Sequence, residues 1–256
     1  MANNRKAILI SNPGELGQEN YCKGVYVDIE NYRRLLTSPE GGLWDADDVL
    51  HLDRPTTKDV REWINRISWR DYVFVMFTGH GWYSSADRDR ILELKKGEQI
   101  ASLELLKDAR KRTLILDCCQ KVHTESLMEK KAAQMTAFAA AEALRIADPQ
   151  RCKKLFLESI EKAPEGIVTL TSCATGEVST DDDARGGRYN GSVIECVDDW
   201  FQAQAKNRHA HGGESLSVVA AHECAAERTR RLSAGTQNPG VEKPRSLPYF
   251  PMAVFA

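Results

Sequence analysis

The chain has 256 residues with 35 Lys+Arg against 37 Asp+Glu, a formal net charge of −2, and it is 42% hydrophobic and 28% charged. That composition excludes a disordered chain, and a chain of this length buries roughly 70–75% of its unfolded surface without needing a disulfide or metal staple. The near-zero charge carries no basic surplus or stripe for phosphate contacts, so nucleic acid is not an expected partner.

Residues 6–11 (KAILIS) form a short apolar strand, followed by a turn-rich segment with Gly and Pro. Residues 24–37 space Val27, Ile29, Tyr32, Leu35 and Leu36 as a helix does. Residues 48–52 read as a strand, and Thr56 or Thr57 then caps a helix with Val60, Trp63, Ile64 and Ile67 on one face. Residues 72–77 (YVFVMF) and 113–116 (TLIL) are uninterrupted apolar runs, the pattern of strands covered on both faces of a parallel sheet. Between them, residues 82–100 predict a small hairpin and 103–110 a helix. Residues 121–163 are rich in Ala, Lys and Glu and read as helical, with a break at Asp148-Pro149. A further buried strand, 166–171, precedes a loop at 173–191 with three consecutive Asp. Two amphipathic helices near 192–207 and 214–231 and a closing strand at 248–255 complete the pattern; Pro251 restricts that strand to an edge or a strand start. This alternation predicts an α/β domain with a mainly parallel sheet and helices on both faces.

The seven cysteines (22, 118, 119, 152, 173, 196 and 224) form no CxxC pair, so no zinc site is expected. That many thiols point to a reducing compartment. The apolar run at 7–10 is too short for a signal-peptide core, and no apolar stretch approaches ~18 residues. A cytoplasmic protein with no membrane partner is the expectation.

Functional residues of open parallel sheets collect at the carboxyl ends of strands. The 72–77 strand runs into Thr78-Gly79-His80-Gly81, and the 113–116 strand into Asp117-Cys118-Cys119-Gln120. If the two strands are neighbours, an imidazole and a thiol emerge side by side, as nucleophilic catalysis requires. From the residues alone, a loop histidine and two small core cysteines fit equally well.

Phe77-Thr78-Gly79-His80-Gly81, followed 39 positions after the histidine by Cys119 in Leu116-Asp117-Cys118-Cys119, resembles the caspase/metacaspase superfamily of cysteine peptidases. The likeness extends to Tyr26-Val27-Asp28 at the first helix, to residues 171–177 (TSCATGE) and to the closing strand at 248–255. It implies a single caspase-like domain over 1–256, a three-layer sandwich with about six strands. It also implies a catalytic His80, a nucleophilic Cys119, and an oxyanion site at the Gly81 and Cys119 N–H groups. Cys118 falls on the opposite face by strand alternation. Asp28, Thr78 and Asp117 match the residues lining the pocket for the residue before the scissile bond (P1) in metacaspases. Two carboxylates there would select Arg or Lys.

The chain departs from the family where metacaspases continue His-Ser-Gly after the nucleophile: here Gln120-Lys121-Val122-His123 follows. The early Asp also lacks the preceding Cys, Val25 standing there. No cofactor is expected; the Asp181-Asp182-Asp183 run is either a calcium loop, as in some metacaspases, or a solvated turn. The implied function is regulated endoproteolysis in defence or cell death, acting on protein or peptide substrates with a recruiting or activating partner. A catalytically silent caspase-like module is the alternative. A flavodoxin-like nucleotide domain ranks last, because residues 12–17 (NPGELG) fit neither dinucleotide nor Walker patterns. The long 121–165 connection corresponds to the caspase inter-subunit linker, and its Lys130-Lys131, Arg145, Arg151 and Lys153-Lys154 are potential self-processing sites.

Overall fold

A computed structural model describes residues 4–119, 147–206 and 213–256. Six strands build the central sheet: β1 (Arg5–Asn12), β2 (Val49–Asp53), β3 (Tyr72–Gly79), β7 (Lys111–Asp117), β8 (Gly166–Thr171) and β12 (Gly240–Glu242). They lie in the order β12-β8-β7-β3-β1-β2. All neighbours are parallel except β12, which runs antiparallel to β8.

Strand periodicity makes the two cores. Ala7, Leu9, Phe74, Met76, Ile115, Val168 and Leu170 face one layer of helices: α1 (Gly24–Thr37), α3 (Pro149–Lys162), α4 (Arg188–Lys206) and α5 (Val218–Leu232). Ile8, Ile10, Val73, Val75, Phe77, Leu114 and Leu116 face the other, where α2 (Thr57–Ile67) packs beside a small sheet. Both faces of β1, β3 and β7 are therefore dry, which is why these strands read as unbroken apolar runs. The layers are helix, sheet, helix, as expected.

Helix ends follow local chemistry. Thr56 Oγ1 accepts the Asp59 N–H while the Asp59 carboxylate accepts the Thr56 N–H, a reciprocal capping box that starts α2. Asp148 caps α3 with Pro149 at its first position, so the expected break at Asp148-Pro149 is this helix's beginning.

Several elements differ from the sequence expectation. The 82–100 hairpin is a three-stranded antiparallel sheet of β4 (Gly81–Ser84), β5 (Asp89–Lys95) and β6 (Glu98–Ala101). The helix expected at 103–110 is only a short 3-10 turn, Ser102–Leu106. The 173–191 loop holds a minimal hairpin, β9 (Asp181–Asp182) and β10 (Gly186–Gly187), and α4 starts straight after it. The last expected helix begins with a strand, β11 (Glu214–Ser217). The closing strand exists as β13 (Pro251–Phe255), but it pairs antiparallel with β11 outside the central sheet. The edge of the central sheet is instead β12, whose three residues carry too little periodicity to be seen in sequence. Residues 120–146 lie outside the described residues, and with them Lys130, Lys131 and Arg145 of the self-processing expectation; Arg151, Lys153 and Lys154 lie on α3.

Cys196 on α4 and Cys224 on α5 are disulfide-bonded. Seven thiols were expected; five cysteines, at 22, 118, 119, 152 and 173, stand outside any disulfide. The pairing is invisible in sequence because the two residues meet only through helix packing. Among the described residues, no helix is long and apolar enough to cross a membrane.

Candidate active site

Strands β3 and β7 are direct neighbours, with Thr78 opposite Asp117. His80 and Cys119 each stand two residues beyond that pair, so the topology delivers an imidazole and a thiol to one sheet edge in matching register. Gly79 permits the turn between β3 and β4: its φ is +145°, and a side chain there would overlap the Asn12 carbonyl of β1. The chain then folds back as β4, whose first residue, Gly81, is packed tightly. A methyl on it would sit 2.8 Å from the Ile91 carbonyl oxygen and 3.0 Å from Cys118 Sγ.

The two cysteines separate as strand alternation requires. Cys118 is 1% exposed inside the α2-side core. Burial, followed by the neighbouring Cys173, Cys119 and Asp117, pushes its thiol well above the ordinary range. Cys119 is partly exposed and its Sγ lies 3.5 Å from the Ser179 carbonyl oxygen as donor to it. The imidazole of His80 rests against Gly14 in the β1–α1 loop, where a methyl would stand 2.8 Å from Nε2. His80 is anchored at its own carbonyl, which accepts the Glu93 N–H of β5 at 3.0 Å.

Beside this pair lies a buried carboxylate cluster. Asp28, in the first turns of α1, is 1% exposed, and its Oδ2 accepts from Thr78 Oγ1 at 2.7 Å and Asn190 Nδ2 at 2.9 Å. Its Oδ1 accepts the Gly187 N–H at 3.0 Å. Asp117 is 4% exposed; it accepts from Ser179 Oγ and from the Asn190 N–H at 3.2 Å. Asp28, Thr78 and Asp117 are thus brought together. Burial is the main cause that raises both carboxyls above their ordinary range, and repulsion from Asp117 adds to it at Asp28. Asp181 joins them from the β9–β10 hairpin: its Oδ2 accepts the Gly24 N–H at 3.1 Å, and burial raises it to about 6.

Sequence reasoning missed the residues that hold this cluster. Asn190 bonds both carboxylates and accepts a hydrogen bond from the Tyr32 hydroxyl on its own Oδ1 at 3.2 Å. Gly186 and Gly187 bring the hairpin against the pair, since a side chain at either would overlap a carboxylate of Asp28 or Asp117. Gln237, fully buried, ties the Ser172 carbonyl to Ser179 and Thr180. Arg185-Gly186-Gly187-Arg188 after the acidic run was the one available signal, because paired glycines mark a close backbone approach.

The Asp182 carboxylate caps its own turn through the Ala184 and Arg185 N–H groups, and Asp181 serves Gly24. Among the described residues, no group of three or more His, Cys, Asp or Glu side chains is arranged to hold a metal ion. His123, His209 and His211 lie outside the described residues; His222 is buried and bonded to the Tyr189 hydroxyl at 2.8 Å.

A family model described as the caspase domain matches residues 4–247. No protein with a curated description matches the chain in sequence. The crystal structure of caspase-1 from Spodoptera frugiperda superposes with a TM-score of 0.54 at 12% identity, covering 93% of this chain and 86% of that one. At that identity the superposition speaks for the fold, a caspase-like α/β sandwich. The matched domain covers nearly the whole chain and its fold agrees: this protein belongs to the caspase-domain family of cysteine peptidases.

Proposed function

We propose that the chain is a cysteine endopeptidase working through a His80–Cys119 dyad. The observation that carries this reading is the matched register of two adjacent parallel strands that end in those residues. In this reading the Cys119 thiolate attacks the scissile carbonyl carbon and the electron pair moves to its oxygen. The Gly81 and Cys119 N–H groups hold that oxyanion. His80 carries the thiol proton and gives it to the leaving amine; water then releases the acyl group. Cys118 takes no part, because its buried thiol resists ionisation.

Specificity for Arg or Lys at P1 follows from the carboxylate cluster. Asp28 and Asp117 bring two acidic groups next to the dyad, with Thr78 and Asn190 orienting the oxygens. A guanidinium entering there would favour the ionised form of two desolvated carboxyls at once. One peptidase domain acting on protein substrates in regulated proteolysis, linked to defence or cell death and served by an activating partner, is the wider role. Action in the cytoplasm belongs to the same reading: five cysteines outside any disulfide support it, and the Cys196–Cys224 bridge weighs against it.

The test is a fluorogenic peptide panel varied at P1, run on wild type, Cys119→Ala and His80→Ala. Cleavage after Arg or Lys is expected, abolished in Cys119→Ala and reduced ~100–10,000-fold in His80→Ala. Efficient cleavage after Asp with none after Arg would overturn the pocket assignment. No cleavage at any P1 by a folded protein would favour the silent module.

A further inference from the structure

We infer that Asn12 is a positioning residue for the His80 imidazole, an assignment resting on His80 being the proton-transfer partner of Cys119. Asn12 is the last residue of β1, lies opposite Gly79 in the β1–β3 register and is 2% exposed. It meets the histidine-bearing segment from three sides. Its carbonyl passes so close to Gly79 that only glycine fits. Its side-chain Oδ1 accepts the Gly14 N–H at 3.1 Å, and Gly14 is the surface on which the imidazole rests. Its Nδ2 donates to the Glu93 carbonyl at 2.7 Å, while the Glu93 N–H holds the His80 carbonyl at 3.0 Å.

One buried amide therefore joins the wall in front of the ring to the strand that anchors the ring's own backbone. Both halves of the amide are used, which fixes its orientation: a flipped amide would set Nδ2 against the Gly14 N–H and Oδ1 against the Glu93 carbonyl. Gly14 has φ +87°, and its own N–H is held by Asn12 Oδ1 while the neighbouring Pro13 carbonyl accepts the Cys22 N–H at 2.8 Å, so the Asn12 bond helps set where that wall stands. Proton transfer is steep in distance and angle, and a displacement of about 1 Å costs on the order of 100-fold in rate. No substrate need touch Asn12 for this effect.

A double-variant cycle tests it, read as the rate at which iodoacetamide alkylates Cys119, located by peptide mass spectrometry. Wild type, His80→Ala, Asn12→Ala and the double variant are measured from pH 5 to 9. The expectation is that Asn12→Ala slows alkylation at neutral pH by about 10-fold or more and moves the midpoint of its pH profile toward that of His80→Ala. In the His80→Ala background the same change should do nothing beyond about twofold, because the two residues act as one unit. Asn12→Asp keeps the Gly14 acceptor and the volume, so it should fall between wild type and Asn12→Ala. It takes the place of Asn12→Ala in the cycle if that variant does not fold. Equal, multiplying losses in both backgrounds, or an unmoved pH midpoint, would overturn the positioning role. If His80→Ala itself alkylates like wild type, the dyad fails instead, and the two failures are told apart.

Discussion

Cys118 and Cys119 are neighbours in sequence and opposites in chemistry. One thiol is sealed in the core and raised in pKa, while the other is partly exposed at the sheet edge. Strand alternation made that legible before any coordinates, and the strand-end position of His80 was legible too; the meeting of Asp28, Thr78 and Asp117 was legible only through the family resemblance. Asn190, Asn12 and Gln237 were not legible, since an amide's role depends on partners brought from as far as 162 positions away, as Asp28 is for Asn190. Titration follows from the same burial. Asp181 is raised from its ordinary value to about 6, so the native chain holds that proton more tightly than the unfolded chain. Stability from this site is then highest in acid and declines as pH rises from about 4 through about 6. Asp181→Asn removes the titration. Its melting temperature relative to wild type should climb between about pH 4 and 7 and then level, each kcal/mol being worth ~2–4 °C in a chain this size. A difference that stays flat with pH would show that Asp181 is not raised. Asp28 and Asp117 are raised in the same direction, so cleavage after Arg should gain as pH rises through their titration. Asp117→Asn relieves the repulsion on Asp28 and should move that acid limb to lower pH, whatever it does to the maximum rate; an acid limb left in place would argue that neither carboxyl meets the substrate.

Elements were legible in proportion to their periodicity. The buried strands β1, β3, β7 and β8 and the helices α1 and α2 stand within a residue or two of where hydrophobic spacing put them. The two-residue β9–β10 hairpin, the 3-10 turn at Ser102–Leu106 and the short β11 and β12 have too few residues to show a period, and their positions are set by tertiary packing. The hairpin is nevertheless the one among these that meets the buried carboxylates. Gly187 donates its N–H to Asp28, and a side chain on it would press on Asp117. Gly187→Ala should lift the hairpin and reduce kcat/KM for P1 Arg on the order of 100-fold, with iodoacetamide alkylation of Cys119 changed by less than about threefold. Equal loss in both measurements would mean that the hairpin supports the dyad rather than the pocket. The capping box of α2 gives the opposite contrast. Thr56→Ala removes the hydroxyl acceptor of the Asp59 N–H and should cost ~1 kcal/mol of stability. Peptide cleavage should be unaltered, because α2 packs on the sheet face rather than at its carboxyl edge; a matching loss of kcat would couple this helix to the site.

At the scale of the whole molecule, the sheet order β12-β8-β7-β3-β1-β2 is what converts sequence into a site. It places β3 and β7 side by side at the centre, so that residues 39 apart, His80 and Cys119, leave the sheet together, and it sets β1 next to β3 so that Asn12 and Gly14 flank the histidine. On the same edge, α1 and α4 deliver Asp28 and Asn190 to Asp117. The disulfide between Cys196 and Cys224 ties α4 to α5 two turns beyond Asn190, in a region where Glu195 also joins Arg185 and Arg228. The most direct measurement of the central claim is intact-mass and peptide mapping after incubation with a peptidyl electrophile carrying Arg at P1. The account predicts one adduct per chain, on Cys119, formed far more slowly in His80→Ala and absent in Cys119→Ala. An adduct on Cys118, or efficient peptide cleavage by Cys119→Ala, would contradict it.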